Sequence, residues 1–478
     1  MNKKSIFLTL IIAIAMSVFF LSACNKDDDD DKSNNNDPVE SENLIKGTAK
    51  DAISYDVLTD ASVRLMTSGG EVVSETQVDL DGTYEFKDVA NGSYELEATA
   101  SGYKTMIAKN IEFTSTKAPG YPVFAAFLTV EESVTQPVSA VSGIVVDENF
   151  DPVSNAVISV SAQDEALTNG YFTSVLSSSE GFFEIGAIPL NSSDGNLIPE
   201  FKIRSVKNGF NTVVHTNIVL AENELSIIFF QMSGQSGGGD VIWEENFEED
   251  TDWKMTGFWH RQVNDEIYNN AYPEYVKLAP NDNSQGKVSD AYAGQYAAWY
   301  GEASTGNFMG EPVADQDSLS GGTSMYQNSG SLVSPLIDLG SYSEASVSFW
   351  TWFEIESVNP NDMGFDIMEI KVIDASDTNN VESIGRLNPY SDPVLDDREA
   401  LPYTSGGFNK APVWNYQSFD LTDFAGMEIM LEFNFRTVDG LYNGFRGWLV
   451  DEIRVTDQGI SSKKSAIKDY PADPEPRK

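Results

Sequence analysis

A long internal repeat constrains this chain most. The segment opening at GTAKD (47–51) continues through DASVRL, DLDGTYEFKDV and GSYELEATASGY. A second, opening at GIVVD (143–147), continues through SNAVISV, SSEGFFEIGAI and FKIRSVKNGF. Gly47 and Asp51 recur 96 positions later as Gly143 and Asp147, and Ala61 recurs as Ala156. Gly82-x-Tyr84-x-Phe86 recurs as Gly181-x-Phe183-x-Ile185, and Gly102-Tyr103 as Gly209-Phe210. The offset grows because NSSDGNLIP stands between Ile188 and Phe201 in the second copy.

Each copy reads as short strands. Tyr84/Phe86 and Tyr94/Leu96/Ala98 alternate with polar residues, the period of a sheet with one buried face. Asp81-Gly82 supplies a tight turn, and Gly102 a positive-φ break before Tyr103. No stretch carries the 3.6-residue period of a helix. Strands punctuated this regularly predict small antiparallel sandwiches with Tyr84, Phe86, Tyr94 and Tyr103 in the core. The functional alternative for these aromatics is stacking on sugar.

The succession G-x-V-x-D, A-x-V, D-x-x-G-x-Y-x-F, G-x-Y-x-L and a closing G-Y resembles the carboxypeptidase regulatory-like domain. The resemblance covers 44–131 and, more loosely, 139–233. It implies a transthyretin-like Greek-key sandwich without catalytic residues, serving as a stalk or spacer.

SGQSGGGD then reads as a flexible linker (234–240), and beyond it the composition changes. All eight tryptophans lie between Trp243 and Trp448. Strands are read in VIWEENF, QYAAWYG, SLVSPLIDL, ASVSFWTWFEI, FDIMEIKVI, EIMLEFNF and GWLVDEIRV, which predict a larger jelly-roll sandwich over 241–458. EENFE, GSLVSPLIDL, VSFWTWFE and GWLVDEIRV are similar to MAM-like, concanavalin-like jelly rolls. That resemblance implies adhesion or substrate binding.

Three candidate sites follow. Alternation in GWLVDEIRV puts Asp451 on one face with Leu449, Ile453 and Val455, and in VIWEENF puts Glu245 with Trp243 and Phe247. A carboxylate directed into an apolar layer must be paired, neutralised or metal-bound. If first and last strands are neighbours, Glu245 and Asp451 could share a structural calcium ion. Salt bridges to Arg446 or Arg454, or a bulge that turns the acids outward, are the alternatives. Secondly, FDIMEI echoes the Glu-x-Asp-x-x-Glu strand of concanavalin-like glycosidases, with Asp366 and Glu369 as acids. Gly364 stands where the nucleophile belongs, so the motif is incomplete and an ordinary packed strand is preferred. Thirdly, the segments 302–330 and 378–412 are too long for simple turns. Their Tyr326, Tyr390, Tyr403, Phe408 and Trp414 could bind a ligand or fold back over the sandwich edge.

The N-terminus sets the expected location. Lys3 and Lys4 precede the apolar run Ile6–Leu21, and Leu21-Ser22-Ala23 leads into Cys24, the sole cysteine. This pattern reads as a secretory signal peptide over 1–23. Ending in cysteine, it resembles a bacterial lipobox, which implies lipidation of Cys24 and an outer-membrane anchor. Asp27–Asp31 open an acidic linker over 24–43 that repels itself and stays solvated. Its position resembles the signal that sends some lipoproteins to the cell exterior.

Composition narrows the chemistry. The formal charge of −44 becomes −46 on cleavage before Cys24 and repels nucleic acid. Only His215 and His260 exist, without metal-binding spacing, which excludes zinc and histidine-based hydrolysis. The expected molecule is all-β, with two transthyretin-like sandwiches carrying a jelly roll and a disordered tail at 459–478. The expected function is non-catalytic adhesion or capture of a glycan or protein. A carboxylate-dependent glycoside hydrolase and a structural surface-assembly component are the alternatives.

Overall fold

A computed structural model describes residues 44–113, 123–130, 137–163, 172–191, 196–234, 239–250, 252–316, 320–356, 364–387 and 401–459, with 473, 475 and 476. The signal peptide, Cys24, the acidic linker, Tyr390 and residues 460–472 lie outside them. Residues 43–478 form one compact unit. The architecture is all-β: among the described residues the single helical element is the 3-10 turn Thr422–Phe424.

Both repeats fold in the same strand order. In the first, Thr83–Phe86, Ile45–Asp51, Val123–Val130 and Tyr103–Lys104 form one sheet. The facing sheet holds Val72–Gln77, Ser62–Thr67, Gly92–Thr99 and Met106–Phe113. In the second copy, Phe182–Pro189, Val138–Asp147 and Glu224–Met232 repeat the first three strands. Phe172–Leu176, Val157–Ala162, Phe201–Val206 and Val213–Ile218 repeat the facing sheet. The opening and closing strands of each copy pair in parallel.

The repeated residues do repeated jobs. Gly47 lies opposite Tyr84 and Gly143 opposite Phe183. A Cβ on Gly47 would stand 1.8 Å from the Phe124 carbonyl oxygen, and one on Gly143 1.8 Å from that of Ile228. The missing side chain admits the neighbouring strand, and the aromatic ring covers the gap. Asp51 Oδ1 accepts from the Ile53 and Ser54 amides at 2.8 and 2.9 Å. Asp147 Oδ1 accepts likewise from Asn149 and Asp151 at 2.8 and 2.9 Å. Each aspartate therefore closes the turn after its opening strand. Tyr84, Phe86 and Tyr94 are buried, whereas Tyr103 is only half-buried and donates to Asp51 Oδ2 at 3.0 Å.

The two copies share a sheet rather than merely stacking. Glu224 and Leu225 pair in parallel with Ile107 and Ala108. One seven-stranded sheet thus runs through both copies and covers what would be the open edge of Met106–Phe113. Ala140, Ala187 and Leu225 of the second copy belong to the hydrophobic cluster of the first. Tyr55 accepts the Gly186 amide at 3.0 Å through its hydroxyl, and Lys50 is ion-paired with Glu184.

The third region is a two-sheet sandwich. One sheet runs Trp259–Val263, Tyr296–Tyr300, Gly447–Thr456, Ser346–Glu356, Pro402–Thr404 and Gly407–Phe408. Val241–Glu245 and Asn415–Asp420 also join this sheet. The other, of six strands, runs Lys254–Met255, Ser329–Val333, Glu428–Thr437, Asp366–Asp374 and Val381–Arg386, with Ile337–Asp338 also paired to Glu428–Thr437. As anticipated, the first and last strands are antiparallel neighbours. Phe349, Phe353, Phe433, Phe435 and Trp448 fill the space between the sheets.

Candidate binding site on the third sandwich

The alternation expected in GWLVDEIRV breaks at Glu452. That residue has φ 49°, and the four residues Asp451 to Arg454 lie opposite only three of the partner strand, Ser348 to Trp350. The bulge reverses the side-chain phase. Trp448, Val450, Ile453 and Val455 face the main core, whereas Leu449 packs in a separate cluster with Trp299 and Trp352. Asp451 therefore does not share a face with Ile453 and Val455. It is fully buried, and its carboxylate accepts the Glu452 amide at 2.7 Å and the Ala293 amide at 3.2 Å. Burial pushes its pKa up to about 7.

Glu245 sits in a different setting. It accepts the Phe247 amide at 2.7 Å and the Trp253 indole N–H at 3.0 Å. The two carboxylates thus have separate donors. Among the described residues no group of three or more His, Cys, Asp or Glu is placed to hold a metal ion. Neither arginine suggested by the sequence serves these acids. Arg454 pairs with Glu244 and Glu452, and Arg446 with Glu354 and Asp282.

The Arg446 cluster is invisible in the sequence, because its members are far apart. The guanidinium is fully buried and grips Glu354 with Nε at 2.6 Å and Nη2 at 2.8 Å. It also donates to Asp282 Oδ2 at 2.5 Å, Ser284 Oγ at 2.8 Å and the Lys287 carbonyl at 2.8 Å. Burial works to raise the Asp282 pKa, yet the Arg446 charge holds it below the usual range. The cluster pins the segment around 282–287 onto the strand Ser346–Glu356.

Asp366 and Glu369 do not form a catalytic pair. Three positions apart on one strand, they point to opposite faces. Asp366 lies on the side of Met368, Ile370 and Val372, which face the core. Its Oδ2 accepts the Glu356 amide at 3.0 Å. Glu369 faces outward and binds Arg436 at 2.8 Å. A retaining glycosidase needs two carboxyl groups about 5 Å apart across one sugar. Here a sheet separates them.

The loop aromatics separate by burial. Tyr403 and Phe408 are paired in a small hairpin and belong to the main core, with Tyr403 stacked on Phe353 at 6.4 Å. Of the two alternatives open for them, ligand contact and folding back over the sandwich edge, their burial in the main core fits the second. Their apolar surface has to leave water when the segment folds back over the sheet. Trp414 is half-buried, its indole N–H bound to Ser289 Oγ at 3.0 Å and the Asp290 carbonyl at 3.1 Å. It packs with Tyr292, Trp350 and Tyr416, and Tyr292 lies flat on Trp350 at 3.8 Å. Val157 and Val206 of the second repeat complete this cluster. The outer aromatic face that could have met a sugar is thus packed against the neighbouring sandwich.

Only Tyr326 among the described candidates is widely exposed, at 68%. Met325 beside it and Val313 are also exposed. The loop that carries them is fixed at its base. Pro312 bridges Ser324, Met325 donates to the Glu311 carbonyl at 2.8 Å, and Asn443 holds Ser324 Oγ at 2.9 Å.

A polar junction joins the second and third sandwiches. Thr173 Oγ1 donates to the Gly406 carbonyl at 2.8 Å, Ser174 Oγ to that of Ser405, and Asn415 to Ser174 Oγ at 2.7 Å. Lys410 is buried at its centre. The amine donates to Thr173 Oγ1 at 3.2 Å and the Gly186 carbonyl at 3.5 Å, and lies 5.4 Å from the centroid of the Tyr55 ring. Burial lowers its pKa to about 7.

Residues 44–123 match the carboxypeptidase regulatory-like domain. The match falls on the first repeat, and the second repeat shares that repeat's strand order. No curated protein sequence matches the chain. Among solved structures, the chain is similar to the TIE protein of Bacillus anthracis, with 13% identity over 41% of this chain and 34% of that one, TM-score 0.16. It is also similar to the K1 cleaved adhesin domain of Lys-gingipain from Porphyromonas gingivalis, with 14% identity over 45% of this chain and 98% of that one, TM-score 0.23. For a streptococcal ancillary pilin the values are 12%, 42% and 64%, TM-score 0.15. The chain spans about a third of the length of the TIE protein.

Proposed function

We propose that this chain is a lipid-anchored surface protein in which two fused sandwiches present a third as a non-catalytic binding module for a glycan or protein. The observation that carries this reading is the seven-stranded sheet running through both repeats. It makes a strut of them, and the Thr173–Lys410 junction fastens the third sandwich to its end. The separation of Asp366 from Glu369 supports binding over hydrolysis. The adjacency of first and last strands supports a MAM-like jelly roll over 241–458. Cys24 carries the lipid in this reading, and the acidic run after it directs the protein to the outer face of the outer membrane. The fixed loop bearing Val313, Met325 and Tyr326 is the contact surface.

Glycan and protein arrays probed with residues 44–478 test the reading. Saturable binding that falls at least about tenfold in Tyr326→Ala is expected, the loss of one stacking or anchor aromatic. Turnover of an arrayed polysaccharide would sink it. Membrane fractionation of Cys24→Ala cells tests the anchor separately, the expected result being release of the protein into the soluble fraction.

A further inference from the structure

The second repeat shows what the outer strand of such a sandwich can do. Phe172–Leu176 ends its sheet, and the hairpin of Pro402–Thr404 and Gly407–Phe408 from the third sandwich closes over that edge. The Ser174 amide donates to the Gly406 carbonyl at 3.3 Å, and Thr173 Oγ1 donates to the same oxygen at 2.8 Å. The approach is close: a Cβ on Gly407 would stand 2.6 Å from Thr173 Oγ1. Thr173 and Ser174 are fully buried there.

The first repeat has the equivalent edge without a cover. Val72–Gln77 ends the seven-stranded sheet, and among the described residues no strand lies on its far side. Ser74 to Gln77 pair in unbroken register with Leu65 to Ser62. Glu75 lies opposite Arg64 as Ser174 lies opposite Ser159, and the repeat that relates Ala61 to Ala156 relates Arg64 to Ser159. Alternate residues of an antiparallel strand turn their amide and carbonyl away from the partner strand. Glu75 therefore presents outward the backbone groups that Ser174 uses. Its side chain does not cover them, because it bends back over the neighbouring strand to Arg64 Nε at 3.1 Å and Ser62 Oγ at 3.2 Å. Edge strands are commonly guarded by lysine, proline or a bulge. Val72–Gln77 has neither lysine nor proline, and its register shift falls before Ser74, opposite Leu65 and Met66. Val72 and Val73 are each 51% exposed.

The surroundings decide the charge of an occupant. Glu71, Glu75, Asp79 and Asp81 lie on the strand or just beyond it in sequence, and no lysine or arginine occurs from 65 to 86. Arg64 is shared between Glu75 and Glu97. Leu80, between two of these acids, is 93% exposed. A second copy of this acidic chain would meet the edge with like charge. A strand carrying lysine or arginine among apolar residues complements both the carboxylates and the valines. We propose that Val72–Gln77 is a docking edge to which a partner protein adds an extended segment of alternating basic and apolar residues. The backbone at Glu75 supplies the ladder, and the surrounding acids select the sequence. The site lies on the first repeat, so it depends neither on the Tyr326 loop nor on the lipid anchor.

The test uses the full chain and a labelled peptide of alternating lysine and valine, with binding read by fluorescence anisotropy. Two control peptides separate ladder from charge. One has the same residues with every backbone amide N-methylated, and the other has glutamate in place of lysine. The Lys–Val peptide should bind at least about tenfold more tightly than either, a factor that one lost backbone hydrogen bond supplies. Glu75→Pro removes the outward amide but no bond to Ser62–Thr67, and should weaken binding at least about tenfold while circular dichroism stays unchanged. Glu75→Gln keeps that amide and should weaken binding only about twofold to threefold. Equal binding of the N-methylated peptide overturns the proposal whether or not Glu75→Pro folds. So does undiminished binding to a folded Glu75→Pro chain, or no binding of the Lys–Val peptide at all. Self-association of the chain in sedimentation that Glu75→Pro abolishes also overturns it, because the edge would then belong to a second copy.

Discussion

At the scale of single residues, two buried charges behave oppositely because, among the described residues, one has counter-charges and the other has none. Arg446 is gripped by Glu354 and Asp282, so removing it leaves two buried carboxylates without a counter-charge. Arg446→Met should cost about 3–5 kcal/mol in urea unfolding. Lys410 has no ion pair among the described residues, and burial lowers its pKa from 10.5 to about 7. Between those values the unfolded chain holds a proton that the folded chain does not. Stability is therefore lost as pH falls from 10.5 to 7, and the loss is complete below 7. Lys410→Met should raise the melting temperature at pH 7, and the gain should shrink as pH rises toward 10. Asp451, raised to about 7 by burial, works in the reverse sense. Its contribution is full below its ordinary value of 3.8 and is lost as pH rises to 7. A gain from Lys410→Met that does not vary with pH would contradict the assignment.

At the scale of elements, the repeat's glycines and aromatics form one device. Gly143 lets the Ile228 carbonyl approach, and Phe183 closes the space beside it. A methyl group there has to move backbone, so Gly143→Ala should cost at least about 1–3 kcal/mol, read by thermal unfolding. The positions were legible in advance, since the same residue types returned at matching places, whereas the close approach of the carbonyl was not. The tail of GWLVDEIRV was not legible. Period-2 alternation assumes an unbroken pleat, and the bulge at Glu452 swaps faces within one strand. Tyr403 and Phe408 read as loop aromatics because their hairpin is short and pairs with Glu354–Glu356, distant in sequence.

At the scale of the whole molecule, the first two sandwiches are coupled through Leu225, which packs in the hydrophobic cluster of the first repeat and pairs with Ala108. Leu225→Asp places a charge in that shared core. Calorimetry should show both repeats losing stability together, with one transition shifted down; two independent transitions would mean that the shared sheet carries no coupling. The junction around Thr173, Ser174 and Lys410 couples the third sandwich in the same way, through polar groups that have to be satisfied once buried.

What the sequence determined by itself was local: strand periodicity, the turn chemistry of Asp81, Gly82 and Gly102, the duplicated module, and the surplus of acid. Each depends on residues within a few positions of one another, or on simple counting. Tertiary structure alone decided which edges met, that Arg446 would find Asp282, and that the aromatics near Trp414 would face a neighbouring sandwich. Those outcomes depend on distant segments competing to bury the same surface and satisfy the same charges, and no short window of sequence contains that competition.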